Sequence, residues 1–147
     1  MKNVGQILKT KGYEVWSIAP DACVYDAINM MADKSVGALP VMDKGRLIGI
    51  ISERDYARKV ILKGRSSKDT PVREIMTQNV ITTTPGQTAE YCMKLMTEKR
   101  IRHLPVLEDD QLVGIISIGD LVRTIISDQR ALIQSLENHI LENTSIT

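Results

Sequence analysis

At 147 residues the chain is long enough for one compact domain or for two small ones that share a core. Its apolar and charged fractions, 43% and 25%, exclude a disordered or fibrous protein, and a formal net charge of +1 excludes a broad basic face for nucleic acid or membrane. With no Phe, one Trp and four Tyr, the core has to be aliphatic and the aromatic platforms that hold single-stranded nucleic acid are lacking.

The first element is a short helix capped by Asn3, with Val4, Ile7 and Leu8 on one face and Gly12 as its stop. Residues 14–18 read as an extended segment ended by Pro20-Asp21, and a helix follows with Val24, Ala27, Ile28 and Met31 at helical spacing. Two apolar runs, residues 38–42 and 46–51, flank Asp43-Lys44-Gly45 and predict a hairpin. Ser52 then stands where a helix cap is expected. Residues 63–69 are polar and glycine-containing, as a linker is, and Thr70-Pro71-Val72-Arg73-Glu74 predicts a new short helix through Met76. The same order then returns: an extended segment over residues 80–83, Pro85-Gly86, a helix with Ala89, Cys92, Met93 and Met96, a hairpin over residues 103–116, and Ser117.

An offset of 65 residues superimposes the two halves without a gap. Pro20 falls on Pro85, Leu39-Pro40-Val41 on Leu104-Pro105-Val106, and Leu47-Ile48-Gly49-Ile50-Ile51-Ser52 on Leu112-Val113-Gly114-Ile115-Ile116-Ser117. Asp55 falls on Asp120 and Arg58 on Arg123. The fold class expected is α/β: two strand–helix–strand–strand–helix repeats packed sheet to sheet about a pseudo-twofold axis, because neither repeat can bury its sheet alone. The first repeat, with N-terminal helix and linker, takes residues 1–69 and the second residues 70–127. Residues 128–147 continue the last helix, whose apolar residues run through Leu132, Ile133, Leu136, Ile140 and Leu141. That stripe either folds back on the core or makes a homodimer contact, and we prefer the homodimer.

The chemistry gathers at Ser52-Glu53-Arg54-Asp55 and at Ser117-Ile118-Gly119-Asp120. A helix start offers unpaired N–H groups to a phosphate, and an ionised Asp accepts from a ribose diol. Ser-x-x-Asp is also an ordinary helix cap, and duplicated caps would recur in the same way.

Pro-Asp, Leu-Pro-Val and Leu-Ile-Gly-Ile-Ile-Ser-Glu-Arg-Asp, twice in tandem, resemble the cystathionine-beta-synthase (CBS) domain pair, or Bateman module, over residues 4–126. The resemblance implies two clefts between the repeats and an adenine ligand: AMP, ADP, ATP, NAD or an S-adenosyl compound. It implies a first cleft of Ser52, Arg54, Asp55 and Arg58 with Thr70, Arg102, His103 and Leu104. The second would join Ser117 and Asp120 to Ile18, Gly37, Ala38 and Leu39. The residues themselves separate the two. Arg54, Arg102 and His103 face a polyanion in the first, where the second has Gly119, Gly37 and Ala38 with Arg123 as its clearest local cation, so the first is expected to bind more tightly. His103 reads alternatively as a strand histidine without a role, and Arg102 as a solvated surface charge.

No GxGxxG follows a strand, no GxxxxGK[ST] occurs, and no Ser/His/Asp, Cys/His or metal-ligating set is present; His139 lies on the terminal helix. Cys23 and Cys92 read as inert buried thiols. The chain is therefore expected to be a regulatory module without catalysis, metal, nucleic acid or membrane, sensing energy or redox state through a nucleotide (AMP, ATP or NAD) and acting on an unknown regulated protein. The alternative is a ligand-independent scaffold working through the C-terminal helix. The first residues lack the apolar run of a signal peptide, and the cytoplasm is the expected location.

Overall fold

Each repeat is organised around one antiparallel hairpin. The computed structural model describes residues 2–144 and orders them as α1 (Val4–Lys11), α2 (Val24–Lys34), β1 (Ala38–Asp43), β2 (Arg46–Ser52), α3 (Glu53–Tyr56), α4 (Ala89–Lys99), β3 (His103–Glu108), β4 (Gln111–Ser117) and α5 (Ile118–Thr144). A π-helical turn, Ala57–Ile61, continues α3, and a single 3₁₀ turn, Val72–Glu74, follows the linker. β1 pairs with β2 and β3 with β4 in the same register, each with a bulge after the Val of Leu-Pro-Val. The two tight turns take two left-handed residues apiece, Lys44-Gly45 in one and Asp109-Asp110 in the other.

The extended segment expected before each first helix pairs through one residue only. Ile18 bridges Val41, and Thr83 bridges Val106, parallel in both cases. α2 and α4 bury matching positions, Val24, Ala27 and Met31 against Ala89, Cys92 and Met96, because those spacings place three side chains on one face. Both helices end on a left-handed residue, Ser35 or Arg100.

Two aliphatic cores result, one per repeat, and β2 lies against β4 between them. Their membership crosses the chain order. Val4, Ile7 and Leu8 of α1 sit in the second repeat's core with Ala89, Leu104 and Ile116, while Val72 and Ile75 of the linker turn sit in the first repeat's core with Val24, Leu39 and Ile51. Backbone hydrogen bonds seal the exchange. The Val4 and Gly5 amides donate to the carbonyls of Gln87 and Pro85, at 2.8 and 2.9 Å. The Val72 and Arg73 amides donate to those of Ala22 and Pro20, at 2.8 and 3.0 Å. The N-terminal helix thus completes the second repeat, although it is expected in the chain as part of the first.

Glycine is required where these segments cross the hairpins. A Cβ on Gly49 would stand 2.5 Å from the Met76 sulfur and 3.1 Å from the Thr77 carbonyl oxygen, and one on Gly114 would stand 2.7 Å from Leu8 Cδ2.

α5 runs 27 residues, about 40 Å at the usual helical rise. Leu121 is buried and Ile125 half-buried against the second core, but Leu132, Ile133, Leu136, Ile140 and Leu141 are all more than half exposed. Among the described residues the helix does not fold back onto its own core.

Candidate ligand-binding clefts

The exchanged segments leave two related clefts between the repeats. The first encloses about 580 Å³. Ile50, Val80, Ile81 and Ile101 form aliphatic walls, and Ser52, Arg54, Asp55, Arg58, Gly37, Arg102 and His103 surround them. Lys59, Lys99 and Arg100 add further cations. Among the described residues Arg54, Arg58, Lys99, Arg100 and Arg102 form no salt bridge; Lys59 pairs with Asp55 at 3.0 Å.

Ser52 and Asp55 make a reciprocal cap. The Ser52 Oγ accepts from the Asp55 amide at 3.2 Å, and Asp55 Oδ2 accepts from the Ser52 amide at 3.0 Å and from its hydroxyl at 3.1 Å. The capping alternative for Ser-x-x-Asp is thus realised, and it also fixes the carboxylate at the cleft edge with Oδ1 turned to Lys59, whose ammonium also donates to the Ile75 carbonyl at 2.9 Å. His103 starts β3, and its ring faces Gly37, where a Cβ would stand 3.4 Å from Cε1 and Nε2. Burial, with help from the Lys11 and Arg102 charges and against that of Asp120, pushes the His103 pKa below its ordinary value. The resting imidazole is therefore neutral near pH 7.

Two residues assigned to this cleft lie elsewhere. Thr70 is 2% exposed and donates its hydroxyl to the Ser66 carbonyl at 2.7 Å, holding the linker turn. The linker residue that reaches the cleft is Thr77, whose amide and carbonyl pair with Ile50. Leu104 is fully buried in the second core, since strand alternation turns it away from the face that carries His103.

The second cleft encloses about 400 Å³ and is lined by Lys11, Gly12, Glu14, Trp16, Val36, Ala38 and Ile115. Of its expected residues only Ala38 is on the lining: Gly37 lines the first cleft instead, Ile18 and Leu39 belong to the first core, and Ser117 and Asp120 stand off the lining, Asp120 being joined to it through Lys11. Ser117 and Asp120 repeat the reciprocal cap, with Asp120 Oδ2 accepting from the Ser117 amide at 2.8 Å and the Ser117 Oγ accepting from the Asp120 amide at 3.2 Å. Asp120 is only 7% exposed and bears two cations: Lys11 at 2.7 Å on Oδ2 and Arg123 at 2.7 Å on Oδ1. Burial alone would raise its carboxyl pKa. The Lys11 ammonium and the Ser117 donors outweigh burial and hold the group below the usual carboxylate range.

No group of His, Cys, Asp or Glu among the described residues could hold a metal ion, and no described helix is long and apolar enough to cross a membrane.

The duplicated hairpin, its caps and the paired clefts have counterparts in known proteins. The sequence model for the CBS domain matches this chain twice, over residues 4–62 and 72–127. The chain belongs to the CBS domain family. It is 43% identical to the mitochondrial CBS domain-containing protein CBSX3 of Arabidopsis thaliana, over 93% of this chain and 71% of that protein. A protein with CBS domains from Burkholderia ambifaria superimposes with a TM-score of 0.84 at 52% identity, covering 87% of this chain and 96% of its own. The CBS domain pair of protein MJ0100, solved in complex with 5′-methylthioadenosine and S-adenosyl-L-methionine, superimposes with a TM-score of 0.76 at 26% identity, over 84% and 99% of the two chains.

Within the CBS pair, one cleft residue that sequence reasoning missed, Arg100, follows from the same 65-residue offset. Lys34-Ser35-Val36-Gly37 aligns with Lys99-Arg100-Ile101-Arg102, so the second repeat adds two arginines where the first has Ser and Gly. Arg102 was visible in that comparison, and Arg100 was equally available. Lys11 and Thr77 were not, because both come from the exchanged segments.

Proposed function

We propose that this CBS pair is a non-catalytic sensor of an adenine nucleotide, AMP, ATP or NAD, and that the nucleotide binds in the first cleft. One observation carries the reading: an aliphatic slot ringed by five cations without a salt-bridge partner among the described residues, with one fixed carboxylate at its edge. A flat base suits Ile50, Val80, Ile81 and Ile101, a ribose diol suits Asp55, and a phosphate chain suits Arg54, Arg58, Arg100 and Arg102. Ser52 and His103 complete the polar side. The adenosine ligands of the MJ0100 pair support the base and sugar part. Binding would stiffen the cleft and shift the module between arrangements, changing its affinity for a regulated protein and so reporting energy or redox state.

A thermal-shift screen across AMP, ADP, ATP, NAD, NADH and S-adenosylmethionine tests the reading, because a ligand of the native state raises the melting temperature. No shift with any of them sinks it. Asp55→Ala with unchanged calorimetric affinity for AMP, ATP and NAD sinks the placement in the first cleft.

A second copy of the chain is the occupant we assign to the exposed stripe of α5 formed by Val122, Ile126, Ile133, Leu136 and Ile140. Val122, Ile126, Ile133, Leu136 and Ile140 repeat with four- and three-residue spacings around Gln129, the period of a two-helix seam, so the stripe is complementary to itself. Should the module bind no nucleotide, this helix makes it a scaffold. The free thiols of Cys23 and Cys92 suit a reducing compartment, and we propose the cytoplasm; the mitochondrial relative makes cell fractionation the check.

A further inference from the structure

We propose that the second cleft is closed by the protein's own Lys11, so that each chain takes up one nucleotide instead of two. The inference rests on the reading of the first cleft as a nucleotide site.

The two clefts are related by the repeat, and at equivalent places they are occupied differently. In the first, the Ile50 amide and carbonyl pair with the backbone of Thr77, at 3.0 and 2.9 Å, and Asp55 bears a single cation among the described residues, Lys59, on Oδ1. In the second, the Lys11 ammonium spans the equivalent two acceptors. It donates to the Ile115 carbonyl at 2.8 Å and to Asp120 Oδ2 at 2.7 Å. With Arg123 on Oδ1 and the Ser117 amide also on Oδ2, the Asp120 carboxylate is filled by internal donors. An incoming diol would have to displace a charge-assisted bond held in a partly buried setting, which a neutral hydroxyl does poorly.

Two features make the closure durable. Lys11 is the last residue of α1, and that helix is anchored on the same repeat by Val4, Ile7 and Leu8, so the ammonium is delivered from a fixed base and little chain entropy is lost in holding it. With Lys11 engaged, the remaining ionic lining residue is Glu14, which repels a phosphate. The first cleft has the opposite balance.

The protein's single tryptophan makes the clefts separable in solution. Trp16 lines the second cleft, 37% exposed, with Lys34 Nζ 4.1 Å from its ring centre. AMP titrated into the full chain should bind at about one per chain by calorimetry and leave Trp16 emission unchanged. Lys11→Ala should raise the stoichiometry to about two and produce an AMP-dependent change in emission. Lys11→Met, which keeps most of the aliphatic stem, should do the same if the alanine variant folds poorly. Two AMP per wild-type chain with a Trp16 response overturns the proposal, as does a folded Lys11 variant that stays at one and silent. If the wild-type chain binds no AMP, the nucleotide reading of the first cleft fails; a Trp16 response gained only in the Lys11 variants still supports the closure, and its absence overturns it.

Discussion

Leu8 fills the space over Gly114: a Cβ on the glycine would stand 2.7 Å from one methyl of the leucine and 2.9 Å from the other. Leu8 is 1% exposed, so it has nowhere to retreat. Gly114→Ala should therefore destabilise the chain by about 1–3 kcal/mol, the usual range for overpacking, read as a lowered melting temperature. In a Leu8→Ala background, itself costing about 2–5 kcal/mol, the added cost of Gly114→Ala should shrink towards zero. Additive effects would show that α1 is not seated on β4 as described.

The cations of the first cleft should act on phosphate and leave the nucleoside alone. Arg100→Ala and Arg102→Ala are each expected to weaken ATP by about tenfold to a hundredfold, the loss of one charge-assisted contact, and adenosine by no more than about twofold. Raising ionic strength should weaken ATP in the wild type more than in either variant. Calorimetry at two salt concentrations decides it; equal losses for ATP and adenosine would mean that the arginines only shape the cleft.

Much of this was legible in the chain. Hairpins, caps and the sequence of elements followed from the 65-residue offset, since turns and apolar spacing are local properties. The exchange of lead-in segments was not, because Val4, Ile7 and Leu8 carry the same apolar pattern as Val72, Ile75 and Met76, and short connections favour the following repeat as partner. Placing Thr70 in the cleft failed for that reason: it precedes the linker turn, whereas Thr77, beyond the turn, is the residue that crosses to β2. Leu104, Leu39 and Ile18 failed differently, through the alternation of strands and through core burial that a motif cannot register.

His103 sets a pH dependence whose sign is fixed by its lowered pKa. The unfolded chain takes up the proton near the ordinary value of 6.5, and the fold holds it less readily. Stability is complete above that value and declines as pH falls through it. From about pH 7.5 to about pH 5.5 the wild type should lose stability in chemical denaturation more steeply than His103→Gln. A phosphate beside the imidazole acts in the other direction, so nucleotide binding should take up a fraction of a proton and tighten as pH falls. Each unit of pKa rise corresponds to about tenfold in affinity at most. Identical binding heats in buffers of different ionisation enthalpy would exclude proton uptake.

Truncation after Ser127 removes Ile133, Leu136 and Ile140 from the exposed stripe of α5 and leaves both cores intact. Light scattering after size exclusion should find a dimer for the full chain and a monomer for the truncated one. Nucleotide affinity should agree within about twofold between the two. A monomeric full chain would refute the pairing assigned to α5.

The crossing of α1 and the linker turn means that this polypeptide cannot be cut at residues 63–69 into two self-sufficient halves. Either half alone would expose the seat vacated by the other's lead-in, and would carry a lead-in of its own with no seat. Such a half could fill the gap only by lending that segment to a sister molecule and borrowing the sister's in return. Joining two copies in one chain makes that loan internal, so assembly of the pair does not depend on protein concentration.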